Sequence, residues 1–254
     1  MQDAHNHLQD IRFDGIRDGI VATMLRSGIT RCVVNGTSPD DWGRVAGLAE
    51  QYPDLVIPSF GMHPWQKPPG DWAQQLLTYL DSFPHACIGE CGLDRWIKGH
   101  DIELQTKVFS TQLKLAAKRN LPLSIHCLRA WGLLLEILES SPLPRRGFLL
   151  HSYAGSMELV PRLANLGAYF SFSGHFLHEH KQSVRETFAQ IPGDRLLIET
   201  DAPDMLPPDE LNKHPLPGKI NHPANLPAIQ NAAASFLDIS MVAANFSRFF
   251  EVEA

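Results

Sequence analysis

No stretch of this chain approaches the roughly 18 consecutive apolar residues that a membrane-spanning helix requires. The N-terminal MQDAHNHLQDIRFDG is polar from the start and has no apolar run suited to a signal peptide. Cysteines are few: Cys32, Cys87, Cys91 and Cys127, none of them in a CxxC pair. Their spacing matches neither a zinc finger nor a dense disulfide framework, so free buried thiols in a reducing compartment are expected. These absences predict a soluble cytoplasmic protein with no membrane association. Internal repeats and low-complexity tracts are missing too. There is no long stripe of Lys and Arg, and 22 Lys+Arg against 28 Asp+Glu give a formal charge of -6. That balance disfavours a surface that coats duplex DNA. It leaves room for a local phosphate site, because a metal centre brings its own positive charge. Histidine is what the chain has in quantity, 12 in 254 residues.

Short apolar runs rich in β-branched residues alternate with longer segments at helical spacing. The strand candidates are Asp3-Ala4-His5, Cys32-Val33-Val34-Asn35, Val56-Ile57-Pro58-Ser59-Phe60 and Ala86-Cys87-Ile88-Gly89. Leu123-Ser124-Ile125, Phe148-Leu149-Leu150, Ala168-Tyr169-Phe170-Ser171-Phe172 and Leu196-Leu197-Ile198 complete a set of eight. Pro58 sits awkwardly in the third, since proline cannot donate to a ladder. The clearest helix is Ile102 to Arg119, with Leu104, Val108, Phe109, Gln112, Leu113 and Ala116 on or near one stripe and Pro122 beyond its end. Others are expected over Asp14 to Ser27, Asp40 to Gln51, Trp72 to Leu80 and Leu133 to Ser140. Four more follow at Ser156 to Leu166, His180 to Gln190, Pro227 to Leu237 and Met241 to Phe250. Strands alternating with helices of this length mean βαβ units and a mostly parallel sheet. Eight such units over residues 1–254 fit an α/β fold, one (β/α)8 TIM-like barrel forming a single domain. The proline-rich stretch from Asp201 to Pro227 breaks the rhythm and reads as a semi-rigid wall of a pocket.

Polar residues follow the apolar runs in a repeated way. His5 and His7 stand in the first, Glu90 follows the fourth, His126 the fifth, His151 the sixth, and Glu199, Thr200 and Asp201 the eighth. In a barrel the C-terminal strand ends converge on one mouth, so residues nearly 200 positions apart meet there. One histidine at a strand end is more often a hydrogen-bonded residue than a ligand. Several strand ends behaving alike argue for a metal-dependent hydrolase. Imidazole with carboxylate suits zinc, manganese, iron, cobalt or nickel better than calcium, and the missing thiolate speaks against structural zinc.

The motifs Asp3-Ala4-His5-Asn6-His7-Leu8, Gly61-Met62-His63-Pro64 and Ile88-Gly89-Glu90-Cys91-Gly92-Leu93-Asp94 stand in this order along the chain. Ile125-His126-Cys127, His151-Ser152-Tyr153-Ala154-Gly155, Glu199-Thr200-Asp201-Ala202-Pro203 and Asn221-His222-Pro223-Ala224-Asn225-Leu226-Pro227 follow them. With that order and spacing the sequence resembles the TatD family of metal-dependent hydrolases, in the amidohydrolase-like superfamily, from the N-terminus to about Phe250. The resemblance implies a TIM-like barrel with two divalent metal ions per subunit, of Mg, Mn, Zn, Co or Ni. It implies His5, His7 and Asp201 as ligands of one ion, His126 and His151 as ligands of the second, and Glu90 as the bridge. Hydrolysis of phosphodiester bonds in nucleic acid, often as a deoxyribonuclease, is the implied activity. Glu90 and Asp201 are the expected catalytic carboxylates, Asp201 to orient or deprotonate the attacking water, and Glu199 is expected either to polarise a ligand imidazole or to reach a metal itself. His63 is expected near substrate, and His175 stands at another mouth position.

The chain departs from the family pattern in places that bear on substrate. Leu128 occupies the usual arginine position and Arg129 the next, so Arg129 is a candidate phosphate contact. The familiar Asn-Glu-Pro segment is Asn221-His222-Pro223 here, which replaces a negative group. Arg95 and Trp96 follow Asp94 and suit contact with a phosphate and stacking on a base. A single strand or a strand end, or a small phosphoester, is therefore the expected substrate, without an obligate protein partner. A small ester, lactone or amide hydrolase is the same-fold competitor, and a metal-binding interaction protein without turnover the competitor of another class.

Overall fold

A computed structural model describes residues 1–251. Its eight strands are β1 Gln2–Asn6, β2 Arg31–Asn35, β3 Val56–Phe60, β4 Cys87–Asp94, β5 Leu123–Leu128, β6 Phe148–Leu150, β7 Ala168–Ser173 and β8 Leu196–Glu199. They lie in that order in one sheet, all paired in parallel. The sheet curls until its ends meet: Asp201 N–H donates to His5 O at 2.9 Å and His7 N–H to Ala202 O at 2.7 Å. The buried Asp3 carboxylate reinforces this seam by accepting from the backbone N–H and hydroxyl of Thr200 at 2.9 and 2.6 Å. Burial pushes its pKa up to about 7 despite those bonds.

Around the sheet stand α1 Arg17–Arg26, α2 Pro39–Gln51, α3 Trp72–Ser82, α4 Ile102–Arg119, α5 Trp131–Ser140, α6 Val160–Asn165, α7 Gln182–Phe188, α8 Leu226–Ala233 and α9 Val242–Phe250. The architecture is the (β/α)8 barrel expected from the pattern of elements. Among the described residues, no helix is long and apolar enough to cross a membrane. The four cysteines are buried and free.

Alternation along the strands divides the apolar residues between two cores. Cys32, Val34, Ile88, Ile125, Leu150, Phe170 and Ile198 point outward to the helices. Ala4, Val33, Ile57, Cys87, Leu149, Tyr169 and Leu197 fill the lower lumen, which α9 plugs with Phe246, Phe249 and Phe250. Pro58 is accommodated because β3 pairs with β4 only from Ser59 onward, so its missing N–H breaks no bond in that ladder.

Helix α4 runs over the residues its periodicity predicts. Asp101 caps it by accepting from Leu104 N–H at 3.0 Å, and Asn120 ends it at φ 52°. Two glutamines on its buried stripe hold loops rather than fill space. Gln112 accepts from Met62 N–H at 2.8 Å, and Gln105 accepts from Asp94 N–H and donates to Asp94 O at 2.8 and 2.9 Å. The helix thus fixes the backbone beside His63 and at the end of β4.

The strand boundaries differ from expectation mainly at β4, which continues five residues past Gly89 to Asp94. Glu90, Gly92 and Asp94 carry no apolar signal because they face the polar upper lumen, yet Gly92 and Asp94 pair with His126 and Leu128. Registers in β1 and β4 are also irregular. Ala4 and His5 together oppose Val33, and Gly89 and Glu90 together oppose Ser124. A bulge of this kind inserts one residue and re-aims the side chain after it. Both bulges sit where a chemistry-bearing side chain turns into the barrel.

Candidate metal centre

Above the apolar lumen the inward positions become small and polar. Ser59 donates to Gly89 O at 2.8 Å, Ser124 Oγ lies 3.0 Å from His5 Nδ1, and Ser171 is hydrogen-bonded to Glu199. These small side chains form a hydrogen-bonding floor and leave room for larger groups. His5, His7, Glu90, His126, His151 and Asp201 converge on it.

Glu90 is the hub. Its Oε2 lies 3.4 Å from His5 Nε2 and 3.2 Å from His7 Nε2. Its Oε1 lies 3.0 Å from His126 Nδ1, 2.8 Å from His151 Nε2 and 3.1 Å from His63 Nε2. Asp201, in a left-handed backbone conformation just past β8, brings Oδ1 to 3.7 Å from His5 Nε2 and 3.5 Å from His7 Nε2. The backbones of β4 and β5 approach closely beside this cluster. A Cβ on Gly92, whose φ is +146°, would stand 1.9 Å from His126 O.

The charges follow from this packing. Burial alone would raise Glu90, but His151, His63 and His126 hold its carboxyl well below the usual range. Burial opposes protonation of His7 and His151, yet Asp201 and Glu90 raise the first, and Glu90 and Glu199 the second, well above the ordinary value. His126 is also raised against burial, by Asp94 and Glu90. His5 is lowered by burial and by His151, and His63 by burial.

A divalent cation fits these residues. His5 Nε2 and His151 Nδ1 are buried and have no hydrogen-bond partner, although carboxylate oxygens stand near both. Leaving such an atom unsatisfied costs about 1–3 kcal/mol. Three overlapping groups, His5–His7–Glu90, His63–Glu90–His126 and His5–His151–Glu199, each gather their donor atoms within 4.8 Å. They are consistent with one or two divalent-metal sites.

The remaining sequence candidates do not share one position. His63, expected to face substrate, has its Nε2 against Glu90 and so lies inside the donor cluster. Glu199 accepts at Oε1 from Ser152 N–H and hydroxyl at 2.8 and 2.6 Å, and its Oε1 lies 3.7 Å from His151 Nδ1. Arg95, Trp96 and Arg129 are exposed at the mouth, where Arg95 N–H donates to Leu128 O at 2.9 Å and joins the loops after β4 and β5. Among the described residues, Arg95 and Arg129 form no ion pair. His175 is half-buried, 5.1 Å from the His178 ring, and is not part of the Glu90 cluster. His222 caps the short turn at Pro223–Asn225, its Nδ1 accepting from Ala224 N–H at 2.9 Å.

Two residues not singled out from the sequence complete the site. Asp94 Oδ2 lies 2.9 Å from His126 Nε2 and accepts from Trp65 Nε1 at 2.6 Å, while its Oδ1 accepts from Trp96 N–H at 2.6 Å. Asn35 O lies 2.7 Å from His7 Nδ1. Buried acceptors of this kind orient ligand imidazoles and set their tautomers. The signal for Asp94 was its even spacing from Glu90, usable only if the strand continued that far.

The profile described as TatD related DNase matches residues 2–251. The chain is 32% identical over 240 residues to the 3'-5' ssDNA/RNA exonuclease TatD of Erwinia tasmaniensis, covering 92% of this chain and 91% of that protein. The crystal structure of the TatD homologue YjjV from Escherichia coli superposes with a TM-score of 0.90 at 26% identity, covering 100% of this chain and 98% of that one. A TatD family hydrolase from Entamoeba histolytica shares the fold, with a TM-score of 0.85 at 20% identity over 99% of this chain and 98% of that one.

Proposed function

The chain belongs to the TatD family of metal-dependent hydrolases, and from that membership we propose that it is a phosphodiesterase removing nucleotides from the ends of single-stranded nucleic acid. In this reading His5, His7 and Asp201 would hold one divalent ion and His126 and His151 a second, with Glu90 placed to serve both. One observation carries it: the two oxygens of Glu90 face separate sets of imidazoles, Oε2 toward His5 and His7 and Oε1 toward His126 and His151. Bound divalent ions supply a lowered water pKa and neutralise phosphate charge.

The protein's own groups do the rest. Asp201 is held ionised beside His7 and His5 against the cost of its burial, so it can accept a proton from the attacking water. Glu199 Oε1 stands 3.7 Å behind His151 Nδ1, and Asp94 fixes the ring of His126. The serine floor excludes bulk water from beneath the carboxylates. Arg95 and Arg129, exposed and without ion pairs, are available for phosphate oxygens at the rim.

The test is a hydrolysis panel with metal-stripped protein resupplied with Mg, Mn, Co or Zn. Single strands, duplexes, a bis-phosphodiester, lactones and amides form the substrates. Release of nucleotides from single strands is expected. Turnover confined to the carbonyl compounds would overturn the reading, and so would absence of turnover on every substrate.

A further inference from the structure

Beside the metal centre, between the loops after β3 and β4, lies a cleft of about 320 Å³. This is near the lower end of small-molecule sites, room for one nucleotide unit and not for a base pair. It shares a wall with the centre, because His63 lines the cleft and also presents Nε2 to Glu90 at 3.1 Å. Its rim carries Lys67, Lys98 and His100. Among the described residues, none of the three is in an ion pair. The one acidic lining residue, Asp101, is turned to its own helix as the cap of α4. In a chain of charge -6 this is a local cationic opening next to a site for phosphate chemistry.

Trp65 stands between the two. Its ring packs edge-on against His63 and His126 with centroids 5.0 and 6.0 Å away, yet half of the residue is exposed. Two hydrogen bonds fix it: Nε1 donates to Asp94 and the backbone N–H donates to His63 Nδ1 at 3.1 Å. An exposed indole held rigid at the edge of a cationic cleft loses little entropy when a flat ring stacks on it.

We infer that this cleft is the subsite for the nucleotide adjoining the scissile phosphate, with Trp65 as its stacking platform and Lys67 and Lys98 as its phosphate contacts. The inference rests on the phosphodiesterase reading and specifies which part of a single strand the protein grips. Stacking is tolerant of base identity, so the subsite selects unpaired ends rather than sequence. In a duplex, stacking on the neighbouring base pairs would hide the ring face that Trp65 needs.

The test uses full-length protein stripped of metal, so that binding is read without cleavage, and a dye-labelled hexathymidylate followed by anisotropy. Trp65→Phe keeps a ring and loses the indole N–H; Trp65→Leu loses both. Hexathymidylate affinity is expected to fall about tenfold or more in Trp65→Leu relative to Trp65→Phe. Lys67→Gln with Lys98→Gln is expected to flatten the slope of log affinity against log salt by about 1.4, from roughly 0.7 per phosphate contact on a single strand. Hexauridylate run in parallel tells RNA from DNA: the strand whose affinity drops with the ring is the one the cleft takes. Equal affinities of the Trp65→Phe and Trp65→Leu variants for both strands, or an unchanged salt slope, would overturn the subsite while wild-type hydrolysis of single strands leaves the phosphodiesterase reading standing. Failure of the wild type both to bind and to cleave any strand sinks the two together.

Discussion

Asp94 Oδ2 and His126 Nε2 are 2.9 Å apart, and this contact turns the opposite ring nitrogen, Nδ1, toward Glu90 at 3.0 Å. The same carboxylate receives Trp65 and Trp96, so one residue at the end of β4 joins the metal centre to the exposed aromatics of the mouth.

Asp94→Asn is expected to weaken divalent-metal binding by about 10- to 100-fold with the fold retained, the usual consequence of losing a partner behind a ligand imidazole. Titration of the metal-stripped protein by calorimetry, with circular dichroism alongside, checks it. Wild-type affinity in the variant would show that His126 needs no such support.

Asp201→Asn is expected to lower turnover by about 100-fold or more, in the range of a lost general base, with little change in melting temperature. Steady-state kinetics on a single-stranded substrate decide it. Turnover within a few-fold of wild type would remove Asp201 from the role assigned to it.

Gly92→Ala places a Cβ 1.9 Å from His126 O at a φ of +146°, where a side chain is strained even without that clash. A loss of at least about 2 kcal/mol in urea unfolding is expected, since β4 and β5 must separate to accept the methyl group. Gly132→Ala, in an open position of α5, is the control and is expected to be neutral or better.

Metal addition is expected to raise the melting temperature of the stripped protein, because ions that bind only the folded chain add about 2.7 kcal/mol for each site at a hundredfold excess over Kd. Differential scanning fluorimetry with increasing Mn or Zn reads this directly. A flat response would mean that the Glu90 cluster binds neither ion.

His222 yields a pH dependence. Burial and the neighbouring His214 bring its pKa down to about 4, whereas an unfolded histidine titrates near 6.5. Between these values the unfolded chain holds the extra proton, so the contribution of this residue is full above pH 6.5 and declines as pH falls toward 4. His222→Asn keeps a side-chain acceptor for Ala224 N–H but does not titrate. The difference in melting temperature, wild type minus variant, is expected to be constant from pH 8 to 6.5 and to shrink on further acidification. A constant difference down to pH 4 would contradict the neutral buried imidazole.

Much of the barrel was legible in the chain itself. Apolar runs such as Phe148-Leu149-Leu150 are set by burial on both faces of a parallel strand, and α4 by a stripe with a cap at each end. Histidines at strand ends were legible for the same reason: the apolar run stops where the lumen becomes polar. Asp94 was not legible as a partner of His126, because apolar pattern ends at Gly89 while the strand does not. Trp65 lies in a loop with prolines close by on both sides, where no periodicity marks a side chain for function.

What the sequence by itself determined was the kind and number of elements and the chemical identity of the donors, since period and composition are local properties of a chain. The tertiary structure alone decided how those donors meet. The bulges that set Ala4 and His5 against Val33, and Gly89 and Glu90 against Ser124, are relations between neighbouring strands, and no period-two reading of one strand contains them. The same holds for the entry of His63 into the Glu90 cluster and for the cleft beside Trp65, which exist only once β3, β4 and β5 lie side by side.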